Sequence, residues 1–497
     1  MTTLKIHRPA DGTLIEEIVA HDAAHVDAVA QRLRTAQVEW VRIGAKGRAA
    51  WIKRYRKWLF DNATRLIEIA MEEGGRVRNE PTLETTLIPE IIDYYLRVTP
   101  ALLEPRPVRG SSPLTFGKRY TVHRSAFPLV GVIGAWNFPL LLTLGDAIPA
   151  LLAGSAVALK PSEVNPRVVI EAVRGWREDI GAPPVLDVLL GGGEVGSALV
   201  DAADYIQFTG SVATGRRVAV RAAENLIPVS LELGGKDPLI VLAGADIARA
   251  ANCAVYGGFA NNGQVCMGFE RVYVHESVYD EFVDRVVTKV RQLRSGVDDH
   301  SDVGALIHPP QLQIVDRQVR DAVDKGARIL TGGNRIDRPG NWFEPTVLVD
   351  VDHSMAVMRE ETFGPVLPIV RVADADEAIR LANDSEFGLS ASVFAATVAE
   401  GKRVADRLDT GAVSIDDFVA NMVCADVPQG GWKKSGVGSR LSETGLLKFT
   451  HTKVVAANWI PTLDNDVFWF PYTPARRAVF GAAARLIQGR GSGRFGL

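Results

Sequence analysis

After Pro128 the chain reads as short apolar runs alternating with stretches of helical spacing: LVGVIGAW, LLLTLGDAIPALLAG, SAVALK, VVIEAVRGW, VLDVLLGGG, DYIQFTGS, ATGRRVAVRAAEN and PVSLEL. The strand-like runs are too uniformly apolar to have a wet face, so they predict a parallel sheet covered by helices on both sides. That makes the chain α/β. In such sheets ligands bind beyond the carboxyl ends of the strands. Trp136, Lys160, Gly210 and Glu232 each stand where an apolar run stops, which is where such a site belongs. A second α/β pattern follows Cys266, with strand candidates RVYVHE, ARILTGG, PTVLVD and VLPIVRV.

A length of 497 residues predicts two or three domains. Hydrophobic residues at 47% and charged residues at 23% describe a globular chain. A net charge of −3 argues against nucleic acid as a main partner. Cys253, Cys266 and Cys424 are the only cysteines and match no zinc spacing, so neither a disulfide framework nor a metal is expected. MTTLKIHRPADG carries no apolar run of signal-peptide length, and the expected location is cytoplasmic. The basic and aromatic segment 46–60 is read as a helix burying Trp51, Tyr55 and Leu59 with its Lys and Arg in water. Period-two alternation at 111–127 and 452–460 predicts exposed strands that pair in an arm or across a subunit boundary.

The tail from Val467 contains FWFPYTP and then a run with five arginines and no acid. Val479, Phe480, Ala483, Leu486 and Ile487 fall on one helical face, giving a basic amphipathic helix too short and too polar to span a bilayer. Packing on the parent chain or a neighbouring subunit is favoured over contact with a membrane surface.

Cys266, in NNGQVC, lies 34 positions after Glu232 in LELGGK (266 − 232). A thiol and a carboxylate in two glycine-marked turns suggest covalent catalysis at a carbonyl, with Cys266 attacking and Glu232 as base. FTGSVATG places Gly210 and Gly215 between a strand and a helix, where backbone N–H groups receive a diphosphate, although an ordinary strand-to-helix turn accounts for that spacing more simply. In KPSE, Lys160 and Glu163 suit ribose hydroxyls, and Glu163 would repel a 2′-phosphate, which favours NAD; a surface turn fits equally well. Asn137 in WNFP is either an oxyanion donor or a turn cap. Glu361 and Phe363 in EETFGP are candidates for the nicotinamide ribose and ring.

WNFP, KPSE, FTGS, LELGGK, GQVC, EETFGPV and GGWKKSGVG follow one another in the order seen in the NAD(P)-dependent aldehyde dehydrogenase superfamily, which the chain resembles over residues 10 to 460. The resemblance implies Cys266 as nucleophile, Glu232 as general base, and Asn137 with the Cys266 N–H as oxyanion hole. It implies Lys160 and Glu163 at the adenine ribose, Gly210, Ser211 and Gly215 at the diphosphate, Trp136 and Phe363 as cofactor walls, and Glu361 at the nicotinamide ribose. The implied fold is a Rossmann-type NAD-binding domain (1–110 and 127–234), a catalytic α/β domain (235–445) and a β oligomerisation arm (111–126 and 446–465). A basic tail (466–497) follows. The implied partners are a small aldehyde, NAD with NADP as second choice, and further copies in a homo-dimer or homo-tetramer.

Two positions depart from the family pattern. Gln429 precedes Gly-Gly where the family often has Phe, and Met267 follows the nucleophile where members vary. SRLSETGLLKFTHTKVV and the tail look more like the fatty or aromatic aldehyde branch. Transfer of the acyl group to CoA is the rival chemistry, but that branch commonly lacks the Glu232 base. A silent protein of the same fold is disfavoured by the complete set of nucleophile, base and amide. A Cys-His hydrolase is poorer still, because alternation puts His275 on a separate strand.

Overall fold

The computed structural model describes residues 2–112, 115, 117–460 and 469–491, with the side chains of 486 and 488–491 outside the description. A six-stranded sheet runs Gly436–Val437, Val229–Glu232, Tyr205–Thr209, Leu129–Ile133, Ala156–Lys160, Leu186–Val188. All neighbours are parallel except the first pair. Leu129–Ile133 and Ala156–Lys160 are buried at every position because helices cover both faces, as the uniform apolar runs predict. From Leu129–Ile133 the chain goes first to one neighbour, Ala156–Lys160, and later to the other, Tyr205–Thr209. That reversal opens a crevice at the carboxyl ends of the strands.

The second sheet has seven strands, in the order Arg328–Thr331, Thr346–Val349, Val366–Val372, Phe269–His275, Asp237–Val241, Ser390–Phe394, Ala412–Ile415. Residues 233–236 join the two sheets, so Glu232 ends a strand of one while Cys266 stands just ahead of Phe269–His275 in the other. The site therefore lies at the seam.

Helix Leu141–Ala153 is apolar almost all round and is packed between sheet and helices, as its sequence requires. Gly154 at φ 114° closes it, returning its N–H to the Ala150 carbonyl. Its start is held from another element. Glu84, on helix Asn79–Leu103, accepts from the N–H groups of Leu140 (3.0 Å) and Leu141 (2.9 Å) and pairs with Arg76, both side chains being 1% exposed.

Several expectations change. Helix Gly44–Asp61 buries Tyr55 and Leu59, but Trp51 is only half-buried beneath the Arg54 guanidinium. Arg48 turns inward rather than to water, because its Nε reaches the Leu152 carbonyl at the open end of helix Leu141–Ala153. The arm is a three-stranded antiparallel sheet of Arg106–Val108, Lys118–Ala126 and Thr450–Asn458, so it starts ahead of residue 111. Gly436–Val437, expected in the catalytic unit, completes the edge of the six-stranded sheet instead. The tail forms helix Pro474–Gly491, in which Val479 (57%) and Phe480 (50%) are exposed while Ala483 and Ile487 are half-buried. The parts of the expected arm and tail at 461–468 and 492–497, and the side chains of Leu486 and Arg490, lie outside the described residues. Among the described residues no helix is long and apolar enough to cross a membrane.

Removing one partner of a buried ion pair strands the other charge. Glu84→Ala, which also uncaps helix Leu141–Ala153, is expected to destabilise the protein by about 3–5 kcal/mol in denaturant titrations. A loss below about 1 kcal/mol, the scale of an exposed pair, contradicts that account.

Candidate active site

The turn that presents Cys266 is built from left-handed residues: Asn261 (φ 51°), Asn262 (φ 56°) and Gly263 (φ 72°). Asparagine tolerates this conformation, whereas position 263 requires glycine because a Cβ there would lie 2.1 Å from the Gly364 carbonyl oxygen. Asn261 is fixed on every side. Its N–H donates to Glu80 Oε1 (2.9 Å), its Oδ1 accepts from Arg76 Nε (3.1 Å), and its Nδ2 donates to the carbonyls of Asn137 (3.1 Å) and Gln264 (3.2 Å). Asn137, 3% exposed, returns a bond from Nδ2 to the Gln264 carbonyl (3.0 Å). The Asn137 loop and the Cys266 turn are therefore one bonded unit, and an Asn amide has a second hydrogen to offer.

Glu232 is buried and its Oε1 has no hydrogen-bond partner. Burial pushes its carboxyl up to about 7, opposed by the nearby charges of Arg440 and Lys448. Burial likewise pushes the Cys266 thiol up to about 12, with Arg440 pulling the other way and Asp237, Glu361 and Glu232 adding to the rise. Cys266 lines a cavity of about 690 Å³ whose walls include Leu87, Ile91, Phe138, Phe259 and Phe418. The two departures from the family pattern meet on this wall, where Gln429 Nε2 donates to Met267 Sδ (2.9 Å).

The Gly234–Gly235 pair lets three elements converge. A Cβ at 235 would stand 2.3 Å from the Cys266 carbonyl oxygen, and one at 234 would stand 2.4 Å from Glu361 Oε2. The Gly235 N–H donates to Glu361 Oε1 (2.9 Å), and burial pushes this carboxyl well above its ordinary range. Glu270 sets the segment beyond, accepting from Thr362 N, Phe363 N and Lys236 Nζ. Phe363, at φ 49°, meets Trp136 edge to face at 5.2 Å.

Around the crevice, Lys160 Nζ pairs with Glu163 Oε2 (3.0 Å), the lysine buried and the glutamate half exposed. Ser211 caps helix Val212–Glu224, its Oγ accepting from Thr214 N. Glycines bring that helix start close against the sheet: a Cβ at Gly210 would meet the Phe208 ring at 2.7 Å and one at Gly215 would meet Leu233 at 2.5 Å. Amides at a helix start, an ammonium and carboxylate pair, and two facing aromatic walls form a cradle that fits a dinucleotide.

Sequence reading missed five charged residues here. Asp146 Oδ2 pairs with Arg440 Nη2 (3.1 Å), Lys448 Nζ lies 3.5 Å from Asp146 Oδ1, and Lys236 pairs with Glu270. Asp146 carries a signal in the sequence: it is the sole charge in LLLTLGDAIPALLAG, and a charge on an apolar helix must have a partner. His275 sits at the start of helix Glu276–Val290, bonded to Ser277, and forms no part of the site.

The aldehyde dehydrogenase family profile matches residues 1–455. A 4,4'-diapolycopene aldehyde oxidase of Methylomonas sp is 37% identical over 99% of this chain and 92% of its own. A putative succinate-semialdehyde dehydrogenase [NADP(+)] 2 of Mycobacterium tuberculosis is 39% identical over 93% of this chain and 90% of its own. Among solved structures, the putative aldehyde dehydrogenase PutA of Anabaena variabilis superposes with a TM-score of 0.90 at 36% identity, covering 95% of this chain and 100% of that one. Lactaldehyde dehydrogenase of Escherichia coli gives 0.88 at 32%, covering 92% and 96%. The chain belongs to the aldehyde dehydrogenase family and has its fold.

A thiol held up near 12 is mostly protonated at neutral pH, and only the thiolate attacks an alkylating agent. Iodoacetamide labelling of Cys266 in the full chain without added cofactor, followed by mass spectrometry, should be slow at pH 7 and climb about tenfold per pH unit toward pH 10. A rate that stays flat over that range contradicts the burial argument.

Proposed function

We propose that the chain oxidises apolar aldehydes larger than a four-carbon semialdehyde to carboxylic acids, with NAD preferred as acceptor. The observation that carries this reading is Cys266 on the wall of a largely apolar cavity of about 690 Å³, with the buried, unbonded Glu232 oxygen nearby. The likeness to a diapolycopene aldehyde oxidase supports an apolar substrate. The likeness to succinate-semialdehyde dehydrogenases points to a short anionic one, which needs a spare cation close to the thiol. Of the cations that line the cavity, Arg440 is tied to Asp146 and Thr209 through Nη2, Arg294 pairs with Asp302, and Lys289 stands on helix Glu276–Val290 rather than on the turn that carries Cys266.

In this reading Cys266 Sγ bonds to the carbonyl carbon while the thiol proton passes to Glu232 and on to solvent. The Cys266 N–H and the second Asn137 amide hydrogen receive the oxyanion. When bound, the nicotinamide would supply the acceptor for the hydride that leaves the substrate carbon, so that the bond left on sulfur is a thioester. Trp136 and Phe363 would wall the ring, Glu361 would take its ribose, Lys160 and Glu163 the adenine ribose, and the amides at Gly210, Ser211 and the start of helix Val212–Glu224 the diphosphate. Glu232 then removes a proton from water, the water oxygen bonds to the acyl carbon, and the C–S bond breaks. The exposed Val454, Val455 and Trp459 on the arm support a homo-oligomer.

Cys266→Ala should abolish turnover. Glu232→Gln should keep a burst of NADH and lose roughly 10² to 10⁴ in the steady state, the range for removal of a general base. A wild-type steady-state rate in Glu232→Gln excludes it as the base.

A kcat/KM series should rise from succinate semialdehyde through hexanal to decanal and benzaldehyde, and a preference for succinate semialdehyde overturns the apolar reading. In the same series NAD should exceed NADP, and Glu163→Ser should narrow the ratio. Better use of NADP by the wild type excludes Glu163 as the discriminating group.

A further inference from the structure

Glu232 is buried among other ionisable groups. Asp146 approaches from helix Leu141–Ala153, Arg440 from the segment after Gly436–Val437, and Lys448 from just beyond helix Ser442–Leu447. Tyr205 and Cys266 face it as well. Tyr95, on helix Asn79–Leu103, faces Arg440, while Asp237 and Glu361 face Cys266 from the other sheet.

The placement of Arg440 is specific. Its Nη2 donates to Thr209 Oγ1 (2.7 Å) and pairs with Asp146 Oδ2 (3.1 Å), and Thr209 is the residue directly opposite Glu232 on the neighbouring strand. The Arg440 Nε is buried with no hydrogen-bond partner, as is Glu232 Oε1. Arg440, Asp146 and Cys266 line the same cavity. The backbone just after Arg440 is costly: Leu441 has φ 60° and ψ −178°, a region nearly confined to glycine, and Ser442 has φ 50°. Such strain persists where surrounding structure enforces it, and here the turn directs Arg440 into the cluster.

Charge balance says what the cluster does. With Glu232 ionised, two carboxylates stand against two cations; with Glu232 protonated, one buried positive charge is left without a counterpart. We propose that Arg440, anchored by Asp146 and Thr209, is a positioning residue that keeps the Glu232 carboxylate in its proton-accepting form for hydrolysis of the Cys266 thioester. This rests on Glu232 being the base.

Hydrolysis of p-nitrophenyl hexanoate by the full chain without cofactor isolates that step. Cys266 is first acylated at about pH 10, where more of the thiol is ionised, with release of nitrophenol; after removal of excess ester and a jump to the test pH, loss of the acyl group reports water attack, with the proton passing to Glu232 and the thiolate leaving. The acid limb of this deacylation rate should lie near neutrality in the wild type. Arg440→Gln should move it upward by about one pH unit or more. Asp146→Asn, which removes the opposing charge, should move it downward, and Arg440→Lys should fall between wild type and Arg440→Gln.

Limbs that coincide, or that all move the same way, overturn the proposal, because a purely structural role lowers rates without opposed displacements. If Arg440→Gln does not fold, the Asp146→Asn limb alone decides: a downward move is expected and an unmoved limb overturns the proposal. Glu232→Gln separates the two readings. If it keeps the limb, Glu232 is not the base; if it loses the limb while the Arg440 and Asp146 variants leave theirs unmoved, only the Arg440 proposal fails.

Discussion

The ion pair between Arg76 and Glu84 holds together parts of the chain that sequence separates widely. Glu84 closes the start of helix Leu141–Ala153, just beyond Asn137, and Arg76 reaches Asn261 in the turn ahead of Cys266. Neither charge meets solvent, so neither loop can shift without stranding one of them. Two segments from different sheets are thereby fixed against each other before any ligand binds. Arg76 also lies over the Phe138 ring, so the same cation shapes the cavity wall.

At the seam between the sheets the decisive atoms are those that are missing. Gly234 and Gly235 bring the Glu361 carboxylate and the Cys266 backbone within a distance that any side chain would prevent. Three ionisable groups, Glu270, Lys236 and Asp237, are buried in that narrow space beside the half-buried Glu361, and hydrogen bonds to backbone and side chains hold them there. Polar groups largely withdrawn from water thus fix the backbone around the thiol, alongside the apolar contacts of Val265, Met267 and Leu389.

Much of this was legible in the sequence, and for a local reason. A strand buried on both faces must be apolar almost throughout, so Leu129–Ile133 and Ala156–Lys160 announce themselves, and glycine-marked turns at the ends of strands carry Glu232 and flank Cys266. What escaped depends on partners distant along the chain. Asp146 stands out as a charge in an apolar helix, but nothing local says that its counter-ion is Arg440. Arg48 looks like its solvated neighbours until the open carbonyls of helix Leu141–Ala153 are brought to it. Arg106–Val108 is too short to show alternation, and Gly436–Val437 joins its sheet only by pairing with Glu232 and Leu231.

The bridge between Gln429 and Arg440 closes the GGWKKSGVGS loop, each residue donating its N–H to the carbonyl of the other at 2.9 and 2.7 Å. Gln429 helps shape the wall beside Met267, while Arg440 carries the charge that faces Glu232. A single clasp therefore ties the shape of the cavity wall to the placement of a cation beside Glu232. Insertions or deletions within the loop that break the clasp would disturb both at once, so wall shape and local charge change together in this chain rather than independently.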